Sequence, residues 1–411
     1  MKILLATYWY VPHLGGVWSV MLQLGEKLRS LGHEVDYLGY GDEAGSFVYI
    51  VNKNQRIQTN KLLPMLQTML NESLYPAIHK NALVKYTEFR RYAYELAVAY
   101  LGLESYDVIH TQDVISTACI NRIRPARTAL VATLHGCVAH DIRLQLKTIH
   151  KSPTSQLARE YFDRLEHTGA SSAEVTIVAN DWMRKNLTDD FHVDENKIKK
   201  YHYGYDIHTF LQRMAEKPTM KRPEGKKVIL YAGRIVQLKG LDVLIEALGK
   251  LKKKRDKWVC WIIGEGNRKT DLRIQAKLLG LQDDVVFMDK RDDIPSLLTQ
   301  VDIFVQPSLI ENQSLAVIEA QLAAKAIIAS DAGGLPEMIK DGVTGLLVPV
   351  GNADKLYRGL ERLLSDRLLR NKLGDNAKHW AMSHWSLDKL TNNIIGTYKS
   401  AIEERRSNAN A

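Results

Sequence analysis

Apolar residues in this chain fall into short runs, each followed by a polar or glycine-bearing turn and then an amphipathic stretch. The series runs twice. Residues 2–7 read as a central parallel strand covered on both faces. Pro12-His-Leu-Gly-Gly16 follows, and then Val17, Val20, Met21, Leu24, Leu28 and Leu31 recur at helical spacing. Residues 32–39 and Phe47 to Val51 predict two further strands, and residues 60–103 predict helices with mixed faces. Asp107-Val-Ile-His-Thr, the stretch Thr128 to Gly136, and Val175 to Ala179 are three more buried strands. Asn180-Asp181 fits a helix N-cap, and Asn196 to Asp206 closes the first half.

After a lysine- and proline-bearing linker, Glu216 to Lys227, the alternation restarts. It gives strands at Val228 to Ala232, Trp258 to Ile263, Val285 to Met288, Ile303 to Val305, 327–330 and 345–349, with a helix at Leu241 to Leu251. Helices finish the chain, with a polar tail after Glu403 expected to fray. Two series of this kind predict two doubly wound α/β domains facing each other across a cleft at their strand ends. The expected boundaries are 1–206 and 207–380, with a terminal helix at about 381–405 crossing back to the first domain.

The chemistry gathers at carboxyl ends of strands. Between the strand Ile303 to Val305 and a helix at Leu315 to Ala324, Glu311 falls in the turn and Glu319 about a turn into the helix. At helical spacing Glu319 projects beside Leu315 and Leu322 on the apolar side, with Gln321 and Lys325 directed elsewhere. A carboxylate there needs a partner, and ligand hydroxyls would serve. The plainer alternative is a half-exposed glutamate on a surface helix. Gly15-Gly16, between a strand and a helix, suits an anion, although the spacing is not that of a nicotinamide-binding fingerprint. His110 and His135 each end a strand, where α/β sites form and where structural histidines also occur. Tyr86, Phe89, Arg90, Arg91, Tyr92 and Tyr94 make a basic-aromatic set, either a packed helix or a contact for lipid or acceptor.

At 411 residues the chain exceeds the size at which one core stops growing, which agrees with two domains. A formal charge of +9 favours anionic partners without choosing among nucleotide, nucleic acid and membrane. Cys119, Cys137 and Cys260 are widely spaced and read as reduced core thiols. No apolar run approaches the roughly 18 residues that span a bilayer, and the first residues lack a signal-peptide pattern, so a cytoplasmic protein is expected. The acidic doublets Asp189-Asp190, Asp283-Asp284 and Asp292-Asp293 read as solvated loop or cap residues, and no Asp-x-Asp occurs.

Taken together these residues resemble the retaining glycosyltransferases of family 4, over nearly the whole chain. The resemblance is carried by the pair Glu311 and Glu319, by Gly233-Arg234 with Lys239-Gly240, by Gly15-Gly16 and by His135. Asp331-Ala-Gly-Gly-Leu-Pro-Glu, Asp341-Gly-Val-Thr-Gly and Trp385-Ser also fit. It implies the GT-B fold, two Rossmann-like domains, and a metal-independent transfer from a nucleoside-diphosphate sugar to a hydroxyl. Arg234 and Lys239 would pair with the diphosphate, Glu319 would hold the ribose, Glu311 and His135 the sugar, and Gly15 and Gly16 a phosphate. His135, Glu311, Arg234 and Lys239 would form the catalytic set, and Gly264, Arg291, Asn312, Gln313, Ser314 and Leu315 would complete the donor site.

The chain departs from the family in Asn312-Gln-Ser, where Pro-Phe-Gly is frequent, in Tyr203-Gly-Tyr-Asp206, and in Asp289-Lys-Arg291. Donor sugar and base, UDP or GDP, stay open. So do the acceptor (glycan, lipid or small molecule), the oligomeric state and a peripheral contact with the inner face of the membrane. No nucleic acid, metal or cofactor is implied. A nucleotide-sugar epimerase and a silent nucleotide-sugar-binding protein of the same architecture are the rival readings.

Overall fold

The computed structural model describes residues 1–12, 15–53, 55–147 and 150–410. His13 and Leu14 of the expected glycine turn lie outside them. The chain divides into two compact units, one of Met1–His202 with Asp388–Ala411, the other Tyr203–Leu387.

The first unit holds strands β1 (Lys2–Tyr10), β2 (Glu34–Tyr40), β3 (Phe47–Ile50), β4 (Gln55–Gln58), β5 (Val108–Thr111), β6 (Ala129–Leu134), β7 (Val175–Val178) and β8 (Ile198–Lys200). They lie in the order β4-β3-β2-β1-β5-β6-β7-β8. The sheet is parallel except at one edge, where β3 runs antiparallel to both β2 and β4. The strand β4 carried no apolar signal in the sequence, because Gln55-Arg-Ile-Gln58 is largely exposed. Each β1 residue from Ile3 to Tyr8 is buried, so helices cover both faces of the strand, as its unbroken apolar run requires.

The second unit is a parallel sheet of β9 (Lys227–Ala232), β10 (Trp258–Ile263), β11 (Val285–Met288), β12 (Ile303–Gln306), β13 (Ala326–Ser330) and β14 (Leu346–Val348). Its order is β11-β10-β9-β12-β13-β14. Alternate residues of one strand feed two cores. Trp258, Cys260 and Ile262 face one, and Val259, Trp261 and Ile263 face the other. Each such fully buried large side chain contributes about 1.5–3 kcal/mol. All three cysteines are free and buried.

The basic-aromatic set takes the packed-helix reading: Tyr94 and Arg91 turn inward on the helix Ala82–Leu101, Arg91 pairing with Glu88 at 2.8 Å, while Tyr86 stays exposed. Other expectations change. Asp284 is buried and bonded by Lys252 and Lys226 instead of solvated. The last helix, Leu387–Asn410, continues through the polar tail. Its stripe of Leu390, Ile394, Tyr398, Ala401 and Ile402 is buried in the first unit, whereas Glu403, Glu404, Arg406 and Ser407 beyond it are exposed. Gln321, expected to point away from the apolar side, is fully buried and bonded to Met338 O and Trp385 Nε1, both at 2.8 Å. Among the described residues no helix is long and apolar enough to cross a membrane.

His110, on β5, is fully buried, with Nδ1 2.6 Å from the Tyr398 hydroxyl and Nε2 2.7 Å from Thr133 Oγ1. Burial first, and the neighbouring His135 second, push its pKa from 6.5 down to about 3. The unfolded chain therefore takes up this proton on acidification well before the folded one does. The contribution is fully present above about pH 6.5 and is lost as pH falls toward 3, at up to roughly 1.4 kcal/mol per pH unit. Urea midpoints measured from about pH 7 down to pH 4 should fall accordingly. His110→Gln, which keeps hydrogen bonding without that titration, should flatten the decline.

Candidate active site

In the second unit, β9 and β12 are adjacent although the chain visits β10 and β11 between them, so sequence order reverses there. Loops leaving the carboxyl ends of two such strands diverge to either side and frame a ligand site. Gly233 to Gly240 leaves β9, and Pro307 to Ser314 leaves β12. The two loops are joined by backbone, Leu309 N donating to Leu238 O at 2.8 Å. Gly240 has φ 61°, and a Cβ there would stand 2.1 Å from Pro307 O. On the other side, Gly334 N donates to Glu311 O at 3.0 Å, and Gly333, with φ 56°, would place a Cβ 2.0 Å from the same oxygen. Gly264, after β10, packs against Gly233 and donates to Met288 O at 3.2 Å.

This frame fixes Glu311. Its Oε2 accepts from Lys239 Nζ at 2.6 Å, Gln306 Nε2 at 2.8 Å and Ser308 Oγ at 3.1 Å. Burial alone would raise the carboxyl. The Lys239 ammonium, with the Ser308 and Gln306 bonds, outweighs it and holds Glu311 below the usual carboxylate range. Arg234 is exposed and forms no ion pair among the described residues, its backbone oxygen accepting from Tyr231 OH at 2.7 Å. Two buried atoms here lack a hydrogen-bond partner among the described residues, Gln306 Oε1 and Gln313 Nε2.

Glu319 stands apart from that cluster. Its Oε1 accepts from Tyr205 OH at 2.5 Å, and burial raises its carboxyl against the opposing pull of Tyr205 and Arg213. Asn312 Nδ2 reaches Tyr203 OH at 3.4 Å, and Gln313 Oε1 accepts from Tyr203 N at 2.9 Å. Ser314 caps the helix Leu315–Leu322 by accepting from Val317 N, and Leu315 opens that helix half-buried. Arg291 is engaged by Asp293, at 2.8 Å, and by the Thr219 hydroxyl. Among the described residues no three His, Cys, Asp or Glu side chains are grouped to hold a metal ion.

In the first unit, Gly15 caps the helix Gly16–Ser30 and Gly16 is its first residue. His135 follows β6, half-buried, its Nε2 2.8 Å from Gln112 Oε1. Burial lowers its pKa to about 3. Sequence reasoning passed over Gln112, Gln306, Ser308 and Tyr205. The available signal was position: Gln112 directly follows β5, and Gln306 ends β12, both at carboxyl ends beside a reversal of strand order.

Two Rossmann-like sheets, the second bearing fixed charge at its reversal point, define a two-domain α/β enzyme class that binds nucleotides. Residues 212–380 match the family model of Glycosyl transferases group 1, and residues 14–209 that of Glycosyltransferase Family 4. An uncharacterized glycosyltransferase of Methanocaldococcus jannaschii is 27% identical over 424 residues, covering 98% of this chain and 99% of its own. An MMP alpha-(1->4)-mannosyltransferase of Mycolicibacterium hassiacum is 24% identical over 425 residues, 98% of each chain. Among solved structures, sucrose-phosphate synthase from Thermosynechococcus elongatus superposes with a TM-score of 0.75 at 19% identity, over 98% of this chain and 99% of that one. Anabaena HepE in complex with UDP gives 0.68 at 18% identity, over 97% and 100%. The chain belongs to the family 4 glycosyltransferases, and its fold is GT-B.

The contact of Gly333 with Glu311 gives a test. Gly333→Ala combines a disfavoured φ with a clash, whereas Gly342→Ala, at φ 70° with nothing within 4 Å of the added Cβ, has the φ alone. Each should lose about 1–3 kcal/mol from conformation, and Gly333→Ala should lose clearly more in urea titrations. Equal losses would show that the Glu311 loop yields to the methyl group.

Proposed function

We propose that this glycosyltransferase moves a sugar from a nucleoside-diphosphate donor to an acceptor hydroxyl, with retention of anomeric configuration and without a divalent metal. The observation that carries the reading is the Lys239–Glu311 pair at the strand reversal, with the exposed Arg234 on the same loop as Lys239. A departing nucleoside diphosphate gathers negative charge, and cations fixed beforehand stabilise it as it leaves. At about 4 Å and an effective dielectric near 20, each cation supplies roughly 4 kcal/mol before desolvation, the scale on which a metal would act. Lys239 and Arg234 take the diphosphate in this reading, and Glu311, kept ionised, accepts from sugar hydroxyls. The unpartnered Gln306 Oε1 and Gln313 Nε2 support a polar ligand beside it.

Glu319 takes the ribose hydroxyls, with Tyr205 orienting one carboxylate oxygen. Asn312, Gln313, Ser314 and Leu315 shape the sugar pocket, and Gly264 and Arg291 lie toward the base. Gly15 and Gly16, at a helix start, suit a phosphate oxygen. His135 contributes a neutral imidazole toward the sugar. The solved complexes of HepE with UDP and with UDP-glucose support a uridine diphosphate sugar as the first donor to try.

The test is turnover of nucleotide sugars with excess chelator, beside Lys239→Ala assayed with magnesium present. Chelator should leave the rate unchanged, and Lys239→Ala should lower kcat by about 10²–10³-fold. Loss of activity with chelator, restored by manganese, would overturn metal independence.

Free nucleoside diphosphate carries no sugar and separates the two glutamates. Titrated calorimetrically, Glu319→Gln should weaken its binding by about 1.5–3 kcal/mol, the worth of a charge-assisted hydrogen bond, and Glu311→Gln should weaken it by less. Equal affinities would reject the assignment of ribose and sugar between them.

A further inference from the structure

Gln112 is locked at the carboxyl end of β5. It is 2% exposed, and its backbone N–H donates to Ala6 O at 2.9 Å. Its side chain lies between two groups: Nε2 is 3.3 Å from the carbonyl oxygen of His110, and Oε1 is 2.8 Å from Nε2 of His135. A backbone carbonyl only accepts hydrogen bonds, so the amide nitrogen must face His110, which turns Oε1 toward the imidazole. That oxygen also only accepts, so the hydrogen of the contact belongs to the imidazole. Burial lowers the His135 pKa to about 3, so near neutral pH the ring has one nitrogen-bound hydrogen to place.

We propose that Gln112 is a positioning residue that holds His135 in the tautomer with hydrogen on Nε2, leaving Nδ1 as a hydrogen-bond acceptor. The partner that Nδ1 takes must then bring a hydrogen, as a sugar hydroxyl does and a carboxylate does not. The orienting chain reaches back through β5, where His110 supplies the carbonyl and its own ring is clamped between Tyr398 and Thr133. Adjacent pairing of β5 and β6, with His110 opposite Val131, brings Gln112 and His135 within reach from different loops. The catalytic consequence rests on the reading of His135 as a sugar contact. The tautomer itself does not.

Nitrogen-15 NMR of the full chain labelled in histidine reads the tautomer, the His135 ring being identified by its loss in His135→Gln. At neutral pH without substrate, Nε2 should appear in the protonated range and Nδ1 in the bare range. Gln112→Leu should lose this single tautomer and lower kcat by about 10–100-fold, with the donor KM changed by less than about twofold. Gln112→Glu keeps an acceptor for the Nε2 hydrogen and, with its buried carboxyl protonated, a donor to the His110 carbonyl, so it should restore the tautomer and recover part of the lost kcat. A hydrogen on Nδ1 in the wild type would overturn the proposal. So would a wild-type spectrum or a wild-type kcat in Gln112→Leu. Failure of the transfer reading would show separately, as wild-type protein that turns over no nucleotide sugar while its spectrum still decides the tautomer.

Discussion

The second unit depends on the close contact of loop backbones at the strand reversal between β9 and β12. Leu309 bonds Leu238, Gly240 touches the Pro307 carbonyl, and Gly333 and Gly334 hold the Glu311 carbonyl from the other side. Side chains at Gly240 or Gly333 would force these segments apart. What the contacts secure is the position of one carboxylate, and with it the ammonium of Lys239. A charge this deeply placed is tolerated only when its partners are fixed in advance, because an unpaired buried carboxylate would protonate or drag the loop toward water.

The two glutamates, eight residues apart, are driven in opposite directions. Glu311 is held below the usual range by Lys239 against its own burial, and Glu319 is raised by burial with only Tyr205 and Arg213 opposing. Burial also pushes the Tyr205 phenol up, so it stays a hydrogen-bond donor to Glu319 over the whole working range of pH. Environments that separate two carboxyls in this way are how one fold gives like side chains unlike work.

The first unit uses neutral groups where the second uses charge. His110 and His135 are both kept uncharged by burial, and amide, hydroxyl and carbonyl partners set their orientation. The helix Leu387–Asn410 takes part, since Tyr398 closes the His110 contact from the far end of the chain. Residues that make the site rigid here are drawn from β5, β6 and the last helix, three places that no local pattern connects.

Much of the fold was legible because burial on both faces of a parallel strand leaves an unbroken apolar run. Trp258–Ile263 and Val285–Met288 have the expected limits, and β9, β12 and β13 differ by a residue. Edge strand β4 was not legible, since an exposed edge needs no apolar residues, and the last helix runs on past Ile402 through a tail with no large apolar residue to mark it. Apolar runs put Glu311, Lys239, Arg234 and His135 after strands, and the family resemblance marked them as site residues. They did not reveal that Lys239 bonds Glu311, that Tyr205 bonds Glu319, or that Gln112 orients His135. Chain order determines which residues follow each strand. Only the order of strands within the sheet decides which of those loops meet, and hydrogen-bond partners and pKa directions follow from that meeting.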